Sequence, residues 1–116
     1  MGQTAQDTLD RMPRSWKDPG YLSVVSIPSP NFNSRPKDSE VDTVVVHSTV
    51  IPTLEKTVQA FCTVKSQVSA HFTIGRDGSI VQDVSTFDRA RHAGVSKDKQ
   101  GRTNLNNFSV GIELVN

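Results

Sequence analysis

The sequence of 116 residues contains one cysteine, Cys62, which rules out an internal disulfide and any multi-cysteine zinc module. A metal, if bound, must be held by histidine and carboxylate. Long apolar runs are also lacking. Val44-Val45-Val46 is as long as any, far short of the roughly 20 residues that cross a bilayer as a helix. The first twenty residues carry no apolar stretch resembling a secretion signal, which favours the cytoplasm unless a leader has been removed. Met1-Gly2 lacks the remainder of an acylation pattern, since Gln6 stands where Ser or Thr is wanted. No excess of one charge exists either: 13 basic and 12 acidic residues are interspersed for a net +1, so neither a nucleic-acid stripe nor a polybasic lipid-binding run is present. Hydrophobic residues make up 34% and charged residues 22%, the composition of a globular chain with a thin core rather than of a disordered one. The length suits one domain.

Residues 1–20 mix polar side chains with Pro13 and the turn signal Asp18-Pro19-Gly20, and read as an N-terminal arm with at most a weak helix over Gln6 to Arg11. Apolar content rises from Tyr21 to Ile27. Pro28, Pro30, Asn31, Asn33 and Pro36 then force extended or turning backbone that should run over the surface. Asp42 to Ser48 is the clearest strand, a β-branched run ending in His47, with Val44 and Val46 on one face and Thr43, Val45 and His47 on the other. From Thr53 to about Ser66, apolar residues recur at three- and four-residue spacing, which predicts an amphipathic helix capped by Thr53. Ser69 to Ile74 and Ser79 to Val84 flank Gly75-Arg76-Asp77-Gly78 and predict a tight antiparallel hairpin. Phe87 to Asn107 lacks periodicity and reads as a long surface loop. Phe108 to Val115 is a final strand, with Phe108, Val110, Ile112 and Leu114 on one side and Ser109, Gly111 and Glu113 on the other. The element order implies an α/β fold, a mixed β-sheet with a packed amphipathic helix.

Few residues in this pattern can carry chemistry. His47 ends a strong strand just before a turn, where a scaffold presents a ligand rigidly, although a packed strand histidine satisfies the same pattern. Glu113 interrupts an apolar strand, so its carboxylate is paired, solvated at an edge, or functional with a raised pKa. Gly111 leaves space beside it on the same face. His71 in the hairpin reads first as a satisfied sheet histidine and second as a ligand. His92, in the polar stretch Arg91-His92-Ala93-Gly94, either contacts a substrate or is simply exposed. Cys62 falls on the helix's apolar side as a buried, inert thiol. No nucleophile-elbow serine, phosphate-binding glycine loop, dinucleotide fingerprint or His-Glu-x-x-His motif occurs.

Three strings in order carry more information together than any one residue: Val44-Val45-Val46-His47-Ser48-Thr49; Val68-Ser69-Ala70-His71-Phe72-Thr73-Ile74-Gly75-Arg76-Asp77-Gly78; and Arg91-His92-Ala93-Gly94-Val95-Ser96 leading to Asn106-Asn107-Phe108-Ser109-Val110-Gly111-Ile112-Glu113-Leu114. With the upstream Ser29-Pro30-Asn31-Phe32-Asn33, this arrangement resembles the zinc-dependent N-acetylmuramoyl-L-alanine amidase family. That family is shared by muropeptide-recycling amidases, phage endolysins and peptidoglycan recognition proteins, and the resemblance covers about residues 27–116.

The resemblance implies a peptidoglycan-recognition-protein-like domain over 21–116, present in its N-terminal part. It implies hydrolysis of the amide between N-acetylmuramic acid and L-alanine, in peptidoglycan or in muropeptides. His47 corresponds to a zinc ligand, Glu113 to the carboxylate that assists the attacking water, and His92 and Asn106 to positions beside the substrate. The remaining zinc ligands of the family lie on the C-terminal side of the Glu113 strand, so they are expected beyond residue 116. They would come from a complementing segment or through self-association. Arg91 stands where many relatives carry tryptophan. A non-catalytic peptidoglycan-binding module and an inactive fragment are the alternative readings.

Overall fold

The computed structural model describes residues 24–116; the arm expected at residues 1–20, with its weak helix, lies outside the described residues. The elements in chain order are β1 (Val24–Ser26), β2 (Phe32–Ser34), β3 (Thr43–Thr49), α1 (Leu54–Phe61), a 3₁₀ turn at Val64–Ser66, β4 (Phe72–Ile74), β5 (Ile80–Gln82), β6 (Asp88–Ala90), a second 3₁₀ turn at Leu105–Asn107, and β7 (Ser109–Val115). Five strands form one mixed sheet in the order β1-β5-β4-β7-β3. The β4–β5 pair is antiparallel, while β1–β5, β4–β7 and β3–β7 are parallel. This is the expected mixed sheet with one packed helix.

The two longest strands show why the sheet forms where it does. In β3 and β7 side chains alternate between faces, and the register pairs Val44 with Val110, Val46 with Ile112 and Ser48 with Leu114 on one face. The other face pairs Val45 with Gly111 and His47 with Glu113. Val44 and Val46 on the first face stay exposed, at 61% and 57%, so this part of the sheet lacks an apolar cover among the described residues. The core lies elsewhere. Val58 of α1 packs with Val81 of β5 and Ile27, flanked by Val25, Leu54 and Cys62.

Helix α1 starts as its sequence dictates: Thr53 Oγ1 accepts from the Lys56 N–H at 3.2 Å, and Thr57, Val58 and Phe61 form the buried stripe. It ends at Cys62, short of the expected Ser66. Thr63 Oγ1 donates back to the Gln59 carbonyl and Ser66 Oγ to the Ala60 carbonyl, and side-chain donors of this kind compete with helical bonding. Asn31 Nδ2 also reaches the Phe61 and Thr63 carbonyls at 3.1 and 3.0 Å, and Ser29 Oγ donates to the Phe61 carbonyl. Gln67 then reverses the chain in a left-handed conformation. The hairpin forms as expected, with Gly78 at φ 87° in its turn and Asp77 Oδ1 accepting from the Ser79 N–H.

Two expectations are corrected. The proline-rich segment after Ile27 does not simply run over the surface: Ser29 and Asn31 are buried, because their side chains close the carbonyls left open by the end of α1. The stretch from Phe87 to Asn107 is not loop throughout. Residues Asp88–Ala90 form β6, antiparallel to β2, and Leu105–Asn107 form a 3₁₀ turn. These three-residue strands are too short to show periodicity. Between β6 and the second 3₁₀ turn, Asp98 accepts from the Gln100 and Arg102 N–H groups, and Arg102 bridges Asp98 and Asp42 while stacking over Phe108.

Candidate active site

The β3–β7 register brings His47 and Glu113 side by side on the face that carries the site. Glu113 lies one strand over from Thr73 of β4 as well, so its carboxylate stands between two strands. Its Oε2 is buried without a hydrogen-bond partner. Burial raises the Glu113 pKa above the ordinary carboxylate range, and the neighbouring His47 pulls it partway back. A cavity of about 280 Å³ opens here, lined by Ser48, Thr49, Phe61, Arg91, His92 and Glu113 among others.

His92 reaches this site from the loop after β6. Its ring lies over Gly111, where a Cβ would meet the ring at 2.4 Å. His92 Nδ1 is 3.0 Å from His47 Nε2, and His92 Nε2 is 3.0 Å from Ser109 Oγ. Burial first, then repulsion from His47, His71, Arg35 and Arg89, lowers the His92 pKa to about 4, so the ring is neutral near pH 7. Asn106 holds the loop from behind: its Oδ1 accepts from the His92 and Ala93 N–H groups at 3.2 and 2.9 Å. Both residues also line a shallower opening of about 510 Å³ with Arg89, Arg91 and Gly94. Arg91 and His92 are common to the two openings, which therefore share a wall.

His71 is fully buried and satisfied. The Gly111 N–H donates to His71 Nδ1 at 2.9 Å, so the ring proton sits on Nε2 and is donated to the Asp88 carbonyl at 2.9 Å. With that tautomer, the Arg35 guanidinium 3.2 Å from Nε2 faces a donor and makes no hydrogen bond to it. Burial lowers the His71 pKa, which keeps the ring neutral. Cys62 is half-buried rather than buried, with its thiol pushed up to about 11, chiefly by burial.

Sequence reasoning missed Arg35. Its guanidinium donates to the Thr86, Asn106, Asn107 and Ser109 carbonyls, at 2.9 Å for Asn106 and Ser109. It thereby fixes the start of β7 and the turn carrying Asn106. No local pattern marks such a residue, because all its partners lie at least fifty positions away in sequence.

As for a metal, His47 offers one imidazole, but no group of three or more His, Cys, Asp or Glu among the described residues is arranged to hold an ion. Catalytic zinc takes three protein ligands and one open position. The described donor set is therefore short of a catalytic zinc centre.

Comparison with known proteins agrees with this layout. A family model described as N-acetylmuramoyl-L-alanine amidase matches residues 37–116. The 1,6-anhydro-N-acetylmuramyl-L-alanine amidase AmpD of Salmonella typhimurium is 38% identical over 84% of this chain and 61% of its own length. The AmpD of Escherichia coli K12 is 39% identical over 76% and 57%. The crystal structure of a Se-Met AmpD derivative superimposes with a TM-score of 0.66 and 36% identity, covering 84% of this chain and 64% of that one. This chain thus spans about three fifths of the length of these curated relatives. By the family model, the relatives and the shared fold, the chain belongs to the N-acetylmuramoyl-L-alanine amidase family.

Proposed function

We propose that this chain carries the proton-handling part of an amidase that hydrolyses the bond between N-acetylmuramic acid and L-alanine. The observation that supports it most is Glu113: a carboxylate with one buried, unpartnered oxygen and a raised pKa, beside His47, at the floor of a cavity. Such a group accepts a proton from water as the water attacks the amide carbonyl. It returns the proton to the nitrogen as the C–N bond breaks. In this reading His92 and Asn106 lie on the substrate wall, and Arg91 offers a guanidinium to a carboxylate of the stem peptide. The relatives' names make a 1,6-anhydro muropeptide the first substrate to test. No helix among the described residues is long and apolar enough to cross a membrane.

Zinc is the cofactor of the proposed reaction, with His47 as one ligand, and the remaining donors must come from outside the described set. A second reading is a peptidoglycan-binding module that keeps the cleft without catalysis. Incubating the chain with zinc and an N-acetylmuramoyl-L-alanyl peptide, and following release of the free peptide amine, separates the two. Release by the parent chain and none by Glu113→Gln supports the amidase. Undiminished release by Glu113→Gln removes the proposed role of the carboxylate, and muropeptide binding without release leaves the module.

A further inference from the structure

Ser109, His92 and His47 form one line of polar atoms, with two successive contacts of 3.0 Å, running from the buried start of β7 through the loop residue to β3. Ser109 is fully buried, and among the described residues His92 Nε2 is the partner of its hydroxyl. A buried hydroxyl that only accepts leaves its own proton unpaired, which costs about 1–3 kcal/mol, whereas one that donates leaves only lone pairs unused. Ser109 therefore donates to His92 Nε2. At about pH 8, above the ordinary imidazole range, the His92 ring carries one proton, which then sits on Nδ1 and is donated to His47 Nε2. We infer that Ser109 and His92 are positioning residues that lock His47 in the tautomer protonated at Nδ1 and keep its Nε2 lone pair engaged.

The lock bears on the metal question. A metal ligand usually needs one free ring nitrogen, with the other donating its N–H to a neighbour. In the locked arrangement neither His47 nitrogen is free: Nδ1 carries the proton, and the Nε2 lone pair, which that tautomer could offer a metal, is taken by the His92 N–H. The mismatch with a zinc centre is thus one of proton placement as well as donor number, and metal uptake at His47 must first break or reverse the relay. The tautomer assignment follows from the two contacts once each ring carries a single proton, while its bearing on hydrolysis rests on the amidase reading.

Long-range ¹⁵N–¹H correlation on the metal-free chain tests the lock at about pH 8, above the ordinary imidazole range. His92 and His47 should both appear as Nδ1–H tautomers. His92→Phe, which keeps a ring over Gly111, should release His47 toward the Nε2–H form, and His92→Asn, whose amide donates from the place of Nδ1, should restore the locked pattern. Ser109→Ala should change the His92 tautomer. An Nε2–H tautomer for His47 in the parent chain, or an unchanged His47 signal in His92→Phe, would overturn the inference. Neither outcome depends on whether the chain hydrolyses muropeptides, so the two proposals fail separately.

Discussion

His47 and Glu113 are direct partners in the parallel register of β3 and β7, so a single backbone pairing sets the imidazole beside the carboxylate. If that carboxylate is the general base, Glu113→Gln should lower hydrolysis by about 10²–10⁴-fold, the range such groups contribute. The substitution should not weaken the fold, because it removes a carboxylate that burial already disfavours in its ionised form. Amide-release kinetics together with urea denaturation check both halves. A large loss of stability alongside the loss of rate would reassign Glu113 to a structural role.

Gly111 is required by the ring above it. A methyl group here would lie 2.4 Å from the His92 ring, and the ring cannot retreat without losing Ser109 and His47. Gly111→Ala should therefore destabilise the chain by about 1–3 kcal/mol, the range for overpacking a well-filled site. It should also displace His92, visible as changed ring signals for both His92 and His47. Unchanged ring signals would mean that the strand, not the histidine, absorbs the strain.

The parts of this arrangement that were legible in the sequence are those governed by a local period. Alternation along Thr43–Thr49 and Ser109–Val115 placed His47 on the face opposite Val44 and Val46, and Gly111 and Glu113 on the face opposite Val110 and Ile112, and the Gly75 to Gly78 spacing located the hairpin. What escaped was polar burial decided by distant partners. Ser29 and Asn31 look like loop residues until the end of α1 is seen to leave carbonyls for them. His92 gives no local sign that it lies across Gly111, and the β2–β6 pair is too short to print a pattern.

Arg35 spans four carbonyls with one planar fork, a geometry that a lysine ammonium cannot reproduce. Arg35→Lys keeps the charge but should cost at least the about 1.5–3 kcal/mol of one charged hydrogen bond. The lost contacts lie around Asn106 and Ser109. The effect should therefore appear in hydrogen exchange at the start of β7 and in the loop from His92 before it appears elsewhere. Wild-type stability in Arg35→Lys would show that water replaces the guanidinium without cost.

Two buried groups with opposite shifts set the dependence of stability on pH. Burial pushes Asp83 up from 3.8 to about 8, against a weaker opposing pull from the Thr73 hydroxyl. The folded chain therefore holds a proton that the unfolded chain releases. This contribution is complete below about pH 4 and is lost as the pH rises to about 8, at about 1.4 kcal/mol per unit. His92 acts in the other sense. Lowered from 6.5 to about 4, it stabilises the fold above the unfolded value and loses that contribution as the pH falls toward about 4. His71, also lowered by burial, adds to the His92 slope, and Glu113, raised by burial, adds to that of Asp83. The slopes oppose one another between about pH 4 and 6.5, and above 6.5 the acid groups act alone. The melting temperature should thus stay nearly level in mild acid and fall between about pH 6.5 and 8. Asp83→Asn should remove most of that fall, since the amide keeps an acceptor for Thr73 and has no proton to lose; a fall that persists in Asp83→Asn would place the ionising group elsewhere.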